Sequence, residues 1–419
     1  MLTPPMITEI PSGVEIAYIE EQYNPVIQLR DFNRNRSGDL VAELDGFCTD
    51  KNIMTPVQGV KFNINSLEMR RRIAKGLKES YSSVEGTSID WERILADVSW
   101  RAIKFYRNGG TAEEIWPADD DSLEVEYLLE PLLYLNHPTV LFGDYGSLKS
   151  LVALALGYIV QLPFHDNNLG LATMQKSVKC LYLDYEDDSS SFRKRWSALD
   201  KGLGRGAMPI LYRKMTASLS ESVEQLRKVI YEKQIGFTIV DSLGPAARGN
   251  LNDPEPAIKY HAALRELGVT SLTLAHTAKD SFITKRTIFG SVFFTNLARS
   301  VWFCKAEQEA GEDEAIISLK HTKANLSRLH PPLGYKFNFS NNSITIAKTD
   351  LRDTTLSGEL PLPWQIKNLL REGSFTMREI AEVLGKPEDT IKTTLSRMAG
   401  KQELVKLPEH YWGLKAHES

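Results

Sequence analysis

Apolar positions along this chain change rhythm twice. Between residues 14 and 44, stretches 14–19, 26–29 and 40–44 alternate or run apolar over a few positions, which predicts strands. Ser66 then precedes a helical run as an N-cap, and a second helix is predicted over 90–107, ending at Asn108-Gly109-Gly110. Residues 1–115 are therefore expected to form an α+β domain. From about 120 to 350 the pattern becomes short, wholly apolar strands (140–142, 179–184, 237–240, 271–275) separated by helices (151–160, 189–201, 222–232, 256–267). That alternation predicts a mostly parallel sheet covered on both faces. From 358 to 419 three short helices are predicted (363–371, 376–384, 388–398), followed by two strands (404–407, 411–414). Thr376 and Glu379 have the spacing of a capping box, and Gly385-Lys386-Pro387 marks a turn.

Composition narrows the classes. The net charge of −4 gives no global basicity that would announce nucleic acid. Cys48, Cys180 and Cys304 lie far apart, so neither a disulfide framework nor a zinc site is expected, and a reducing cytosol fits. The first residues lack the basic flank and apolar core of a signal peptide, and the longest apolar run, 151–160, is too short to span a bilayer. A cytoplasmic protein without a membrane partner is expected.

Ligands of such sheets bind at the carboxyl ends of the strands, and the suggestive residues cluster there. Strand 140–142 runs into Gly143, Asp144, Tyr145, Gly146, Ser147, Leu148, Lys149 and Ser150 at the mouth of a helix. Backbone N–H groups of such a loop and the positive end of the helix suit a polyphosphate. Lys149 would reach the β- and γ-phosphates of ATP, and the Ser150 hydroxyl would ligate Mg²⁺. The pattern is that of a P-loop in which Leu148 replaces the last glycine. Strand 237–240 ends in Asp241, a second candidate for Mg²⁺. Ser242 follows where some ATPases carry a glutamate, so the base must come from another strand. Strand 179–184 offers Glu186 for that role, with Asp184 and Asp187 as alternatives. Strand 271–275 ends in His276, placed to sense the γ-phosphate. Residues 280–287, with Lys285 and Arg286, follow it as a candidate DNA grip. Later cations, in a helix expected to contain Arg299 and in Lys320-His321-Thr322-Lys323, are candidates for fingers reaching a neighbouring subunit.

Taken together, GDYGSLKS, LYLDYED, TIVDSLGPAARGNLND, LTLAHTAKD, GSVFFTNLARSVW and LKHTKAN resemble, in order and spacing, the RecA-like ATPases of the RepA/DnaB hexameric helicase group, over roughly residues 120–345. The resemblance implies Glu186 as catalytic glutamate, Asp241 as Walker B aspartate, His276 as the histidine motif, Arg299 as arginine finger and Lys323 as secondary finger. It also implies a ring, usually of six copies, that moves on single-stranded DNA. No primase-binding domain of that group is recognisable in the first 115 residues. Residues 358–419 resemble a winged helix-turn-helix. From Ser357 onward Lys and Arg number nine and Asp and Glu nine, and only Lys392, Arg397 and Lys401 cluster near the third helix. A filament-forming recombination ATPase and an ATP-switched regulator share the same core and stand as alternatives.

Overall fold

The computed structural model describes residues 4–10, 13–19, 24–48, 57–81, 89–108, 114, 116, 124–163, 167–174, 176–204, 206–278, 286–340 and 342–415. The chain divides into two compact units, Met1–Ser122 and Leu123–Ser419.

The first unit is an antiparallel meander of β1 (Met6–Ile10), β2 (Gly13–Ala17), β3 (Pro25–Arg34), β4 (Leu40–Cys48) and β5 (Val57–Asn63), in that spatial order, followed by α1 (Leu67–Tyr81) and α2 (Trp91–Asn108). Period-2 alternation puts Val14, Ile16, Ile27, Leu29, Ala42 and Leu44 on one face, where they pack with Ile73, Leu77, Ile94, Leu95 and Val98 of the helices. Both helices start on polar caps. Ser66 Oγ accepts from Met69 N at 3.2 Å and Asp90 Oδ1 from Arg93 N at 3.1 Å.

The second unit is built on nine strands. In chain order its elements are β6 (Tyr127–Glu130), β7 (Leu133–Tyr134), β8 (Pro138–Gly143), α3 (Lys149–Ile159), β9 (Ala172–Thr173), β10 (Lys179–Asp184), α4 (Ser189–Leu203), β11 (Leu211–Lys214), α5 (Val223–Lys233), β12 (Ile235–Asp241), α6 (Leu243–Ala247), α7 (Pro254–Leu267), β13 (Thr270–His276), α8 (Phe293–Leu297), β14 (Ser300–Glu307), β15 (Glu314–Ala324), β16 (Leu333–Ser340) and β17 (Ser343–Thr349). The large sheet has the order β11-β10-β12-β13-β8-β14-β15-β16-β17. Its first six strands are parallel and the last three form an antiparallel extension. β6, β7 and β9 make a small separate sheet.

Alternation along single strands loads both faces of the sheet. Leu141, Tyr182, Ile239, Leu274, Trp302 and Cys304 point into one core with α3 and α4. Val140, Phe142, Leu183, Val240, Ala275 and Phe303 point into the other, against α5 to α8. Helix α3 is apolar all round and buried along nearly its whole length, as a helix enclosed on every side must be.

One expected helix is corrected. The segment carrying Arg299 is not the expected helix: α8 stops at Leu297, and Ala298 is extended at φ −68° and ψ 146°. Val301, Trp302 and Phe303 continue as β14, where branched and aromatic side chains pack well on a pleated surface. Arg299 therefore stands at the start of a strand.

The chain ends in α9 (Leu362–Glu372), β18 (Phe375–Thr376), α10 (Met377–Leu384), α11 (Glu388–Gly400), β19 (Leu404–Lys406) and β20 (Tyr411–Leu414), with strand order β18-β20-β19. Thr376 and Glu379 cap α10 reciprocally. Ile366, Leu370, Ile380, Ile391, Leu395 and Met398 close a small core of their own. Glu359, just before α9, meets Lys305 of β14 at 3.3 Å and Lys320 of β15 at 3.8 Å. Among the described residues no helix is long and apolar enough to cross a membrane.

Candidate active site at the strand ends

Gly143 closes β8 between two neighbours, with His276 of β13 and Cys304 of β14 in register on either side. A side chain at 143 would meet the Cys304 carbonyl at 2.3 Å, so only glycine lets the loop leave the sheet here. The loop then turns through Gly146 at φ +76°. Leu148 takes φ 59° and ψ 20°, the left-handed conformation that a glycine would adopt freely. For an L-residue this costs roughly 1–2 kcal/mol. The cost is offset by packing, since the half-buried Leu148 side chain lies against the core around α3. The loop thus keeps its shape without its last glycine.

Lys149 folds back onto its own loop. Its Nζ donates to the Gly143 carbonyl (3.1 Å), the Asp144 carbonyl (2.8 Å) and Ser147 Oγ (3.1 Å), and only 7% of the residue is exposed. Burial lowers its pKa, partly opposed by the adjacent Cys304 and by the carboxylates of Asp241, Glu186 and Asp144. Both expected carboxylates therefore act on this ammonium. The Cys304 thiol, pushed up to about 12 by burial, donates to the Ser147 carbonyl at 3.0 Å and pins the loop to β14.

Ser150 Oγ donates to Asp241 Oδ2 at 2.8 Å. Tyr182, one strand over, donates to the same oxygen. The carboxyl of Asp241 is raised above its usual range by burial. A buried carboxylate oxygen beside a serine hydroxyl at a P-loop suits Mg²⁺, a hard cation that takes oxygen ligands. Register explains the meeting. Asp184 and Asp241 are paired across β10 and β12, and Tyr182 lies two residues before Asp184, on the face that looks toward α3.

Asp184, Glu186 and Asp187, at and just after the end of β10, have separate tasks. Asp184 is 1% exposed and shapes the turn, accepting from the N–H of Glu186 (3.0 Å) and of Asp187 (2.9 Å). Asp187 pairs with Arg195 at 3.0 Å. Glu186 keeps its carboxylate at the site, where it accepts from Ser242 Oγ and lies 3.9 Å from His276 Nε2. Ser242 thus holds in place the carboxylate expected from the sequence to act as base.

A further link joins the loop to the residues that follow β13. Asp144 accepts from Thr277 Oγ1 and from Arg286 Nη1 at 2.7 and 2.6 Å. Tyr182, Ser242, Thr277 and Arg286 in these roles were not singled out from the sequence. Of the expected grip, residues 280–285, including Lys285, lie outside the described residues.

Arg299 and Lys323 are at the other end of the sheet. Arg299 N donates to the carbonyl of Pro138, at the start of β8, and Lys323 is paired with Val301 near the start of β14. Five residues of strand separate Pro138 from Gly143, about 17 Å at 3.3 Å per residue. The Arg299 side chain is exposed. Lys323 Nζ instead donates to the carbonyls of Thr295 (2.9 Å), Asn296 (2.7 Å) and Ala298 (2.6 Å), closing the end of α8.

Residues 116–281 match the family model described as an AAA domain. No curated protein matches the chain. Among solved structures the chain is similar to a KaiC-like protein from the hyperthermophilic archaeon Pyrococcus horikoshii, with 16% identity over 52% of this chain and 93% of that one, and a TM-score of 0.36. The family match and the site geometry together support an ATPase-type P-loop at the end of a mostly parallel sheet.

Proposed function

We propose that this chain is an ATP-hydrolysing motor on single-stranded DNA, of the RepA-like replicative helicase kind used by plasmids, phages or other mobile elements, working as a ring of about six copies. The observation that carries this reading is the separation of Lys149, Ser150, Asp241 and Glu186 at one end of β8 from Arg299 at the other. A finger about 17 Å from the loop of its own chain is useful only to the site of an adjoining copy.

In this mechanism the loop amides and Lys149 hold the β- and γ-phosphates of ATP. Ser150 and Asp241 would hold Mg²⁺, which supplies neutralisation of phosphate charge. Glu186, oriented by Ser242, aligns a water and takes its proton as the water oxygen attacks the γ-phosphorus. The bond from that phosphorus to the β–γ bridging oxygen breaks, giving ADP and phosphate. Arg299 of the adjoining copy stabilises the charge on the transferred group. His276, 3.9 Å from Glu186, reads the state of the site. The Thr277–Asp144–Arg286 link passes that state to the segment beginning after Ala278.

The C-terminal three-helix unit is assigned as a winged helix. Lys392, Arg397 and Lys401 are exposed on or just after α11 and would contact duplex phosphates. ATPase assays with and without single-stranded DNA, together with negative-stain microscopy in ATP, test the whole reading. Rings with DNA-stimulated turnover are expected. A filament would favour the recombination ATPase, and a small silent oligomer the regulator.

A further inference from the structure

The outward face of α2 carries chemistry that the ATPase reading does not use. Arg93, Ala96, Trp100, Lys104 and Arg107 follow one another at helical spacing on the side away from the sheet, and all are exposed. Trp100 is 58% exposed, in a helix whose opposite face buries Trp91, Ile94, Leu95, Val98 and Ala102. Folding of the domain therefore does not explain it. Arg101 and Lys104 lie over its ring at 5.5 and 5.4 Å. At the last turn of the helix Arg34 of β3 sits 5.6 Å over the partly exposed Tyr106. Arg101 is matched by Asp97 at 2.7 Å, but among the described residues no carboxylate pairs with Arg93, Lys104 or Arg107.

We infer that this face binds single-stranded nucleic acid. The cations supply phosphate contacts along about 21 Å of helix at 1.5 Å per residue. The indole supplies a platform that only an unstacked base can use, which selects single strands over duplex. An acidic peptide would satisfy the cations without stacking on the indole. The first domain would thus hold a strand independently of the nucleotide site, and the inference does not depend on ATP hydrolysis.

The test uses the full chain without nucleotide. Binding of fluorescent oligo(dT) and oligo(rU) is measured against Trp100→Ala, Trp100→Phe and Lys104→Gln/Arg107→Gln, and crosslinks to a bromodeoxyuridine oligonucleotide are mapped. Trp100→Ala should weaken binding by about ten-fold, in the range expected for loss of one stacked base, and Trp100→Phe should restore most of it. The double glutamine variant should reduce the slope of log affinity against log salt by about 0.7 for each cation removed. Crosslinks should fall on α2, and basal ATP hydrolysis should be unchanged in every variant. Tighter oligo(rU) than oligo(dT) binding would make RNA the natural strand. Unchanged affinity and salt slope in all three variants, crosslinks only outside α2, or capture of an acidic protein with no oligonucleotide binding would each overturn the inference, whether or not the protein proves to be a motor.

Discussion

The two ends of strand β8 are built on opposite principles. At the Gly143 end the side chains around the loop hold one another. Lys149 fills the loop, Ser150 and Tyr182 converge on Asp241, Ser242 holds Glu186, and Thr277 and Arg286 hold Asp144. At the Pro138 end Lys323 is consumed by three carbonyls and Arg299 stands in solvent with no carboxylate beside it among the described residues. One end is organised by hydrogen bonds within the chain. At the other end Arg299 has no carboxylate partner among the described residues. On the proposed reading, the difference separates residues that need only their own chain from one, Arg299, that would serve a second.

Substitutions rank by how directly they strike this contrast. Lys149→Ala or Glu186→Gln should lower ATP turnover by about a thousand-fold or more, with Glu186→Gln still binding a fluorescent ATP analogue. Arg299→Ala should also lose about a thousand-fold in kcat, while nucleotide affinity stays near that of the parent chain. Lys323→Ala should instead melt at lower temperature, because the end of α8 loses its cap, by about 1–2 kcal/mol. Tyr182→Phe should raise the Mg²⁺ concentration needed for half-maximal activity by about ten-fold, through loss of a hydrogen bond that orients Asp241.

The loop itself gives a smaller and sharper effect. Leu148→Ala keeps the left-handed backbone cost and loses the packing, so it should be destabilised by about 1–2 kcal/mol. Leu148→Gly loses the same packing but sheds the cost, and should melt above Leu148→Ala despite its smaller side chain. The smallest effect concerns acid. Burial lowers the pKa of His321, stacked on Trp302, to about 4. Its ordinary value is about 6.5, so the unfolded chain binds the extra proton. The stability of the neutral form is complete above about pH 6.5 and is lost as pH falls toward 4. His321→Gln should flatten that part of a pH–stability curve measured by chemical denaturation.

What the sequence disclosed followed from local rules. Strands such as 237–240 are short apolar runs with a carboxylate at the end, and the glycine loop lies between a strand and an apolar helix, so the elements and the residues at their ends were legible. The α8–β14 segment was not. Val292, Phe293 and Phe294 lead on to Val301, Trp302 and Phe303 with only Ala298, Arg299 and Ser300 after Leu297, and no proline or glycine marks the break. The supporting side chains were hidden for a different reason. Tyr182 reaches Asp241 across one strand pairing, and Arg286 reaches Asp144 over 142 residues of chain. Such partners are fixed by register and strand order, which periodicity does not encode. The α2 face shows a third case, since its aromatic and basic positions were visible but only exposure separates Trp100 from the buried Trp91 of the same helix.

The central claim is that a working site takes its loop from one copy and its finger from another. Mixing Lys149→Ala with Arg299→Ala protein tests it most directly. Each variant alone should be inactive, and the mixture should regain ATP hydrolysis, because intact loops of the second then face intact fingers of the first. A mixture that remains as inactive as its parts, in assemblies shown to exchange subunits, would contradict the account.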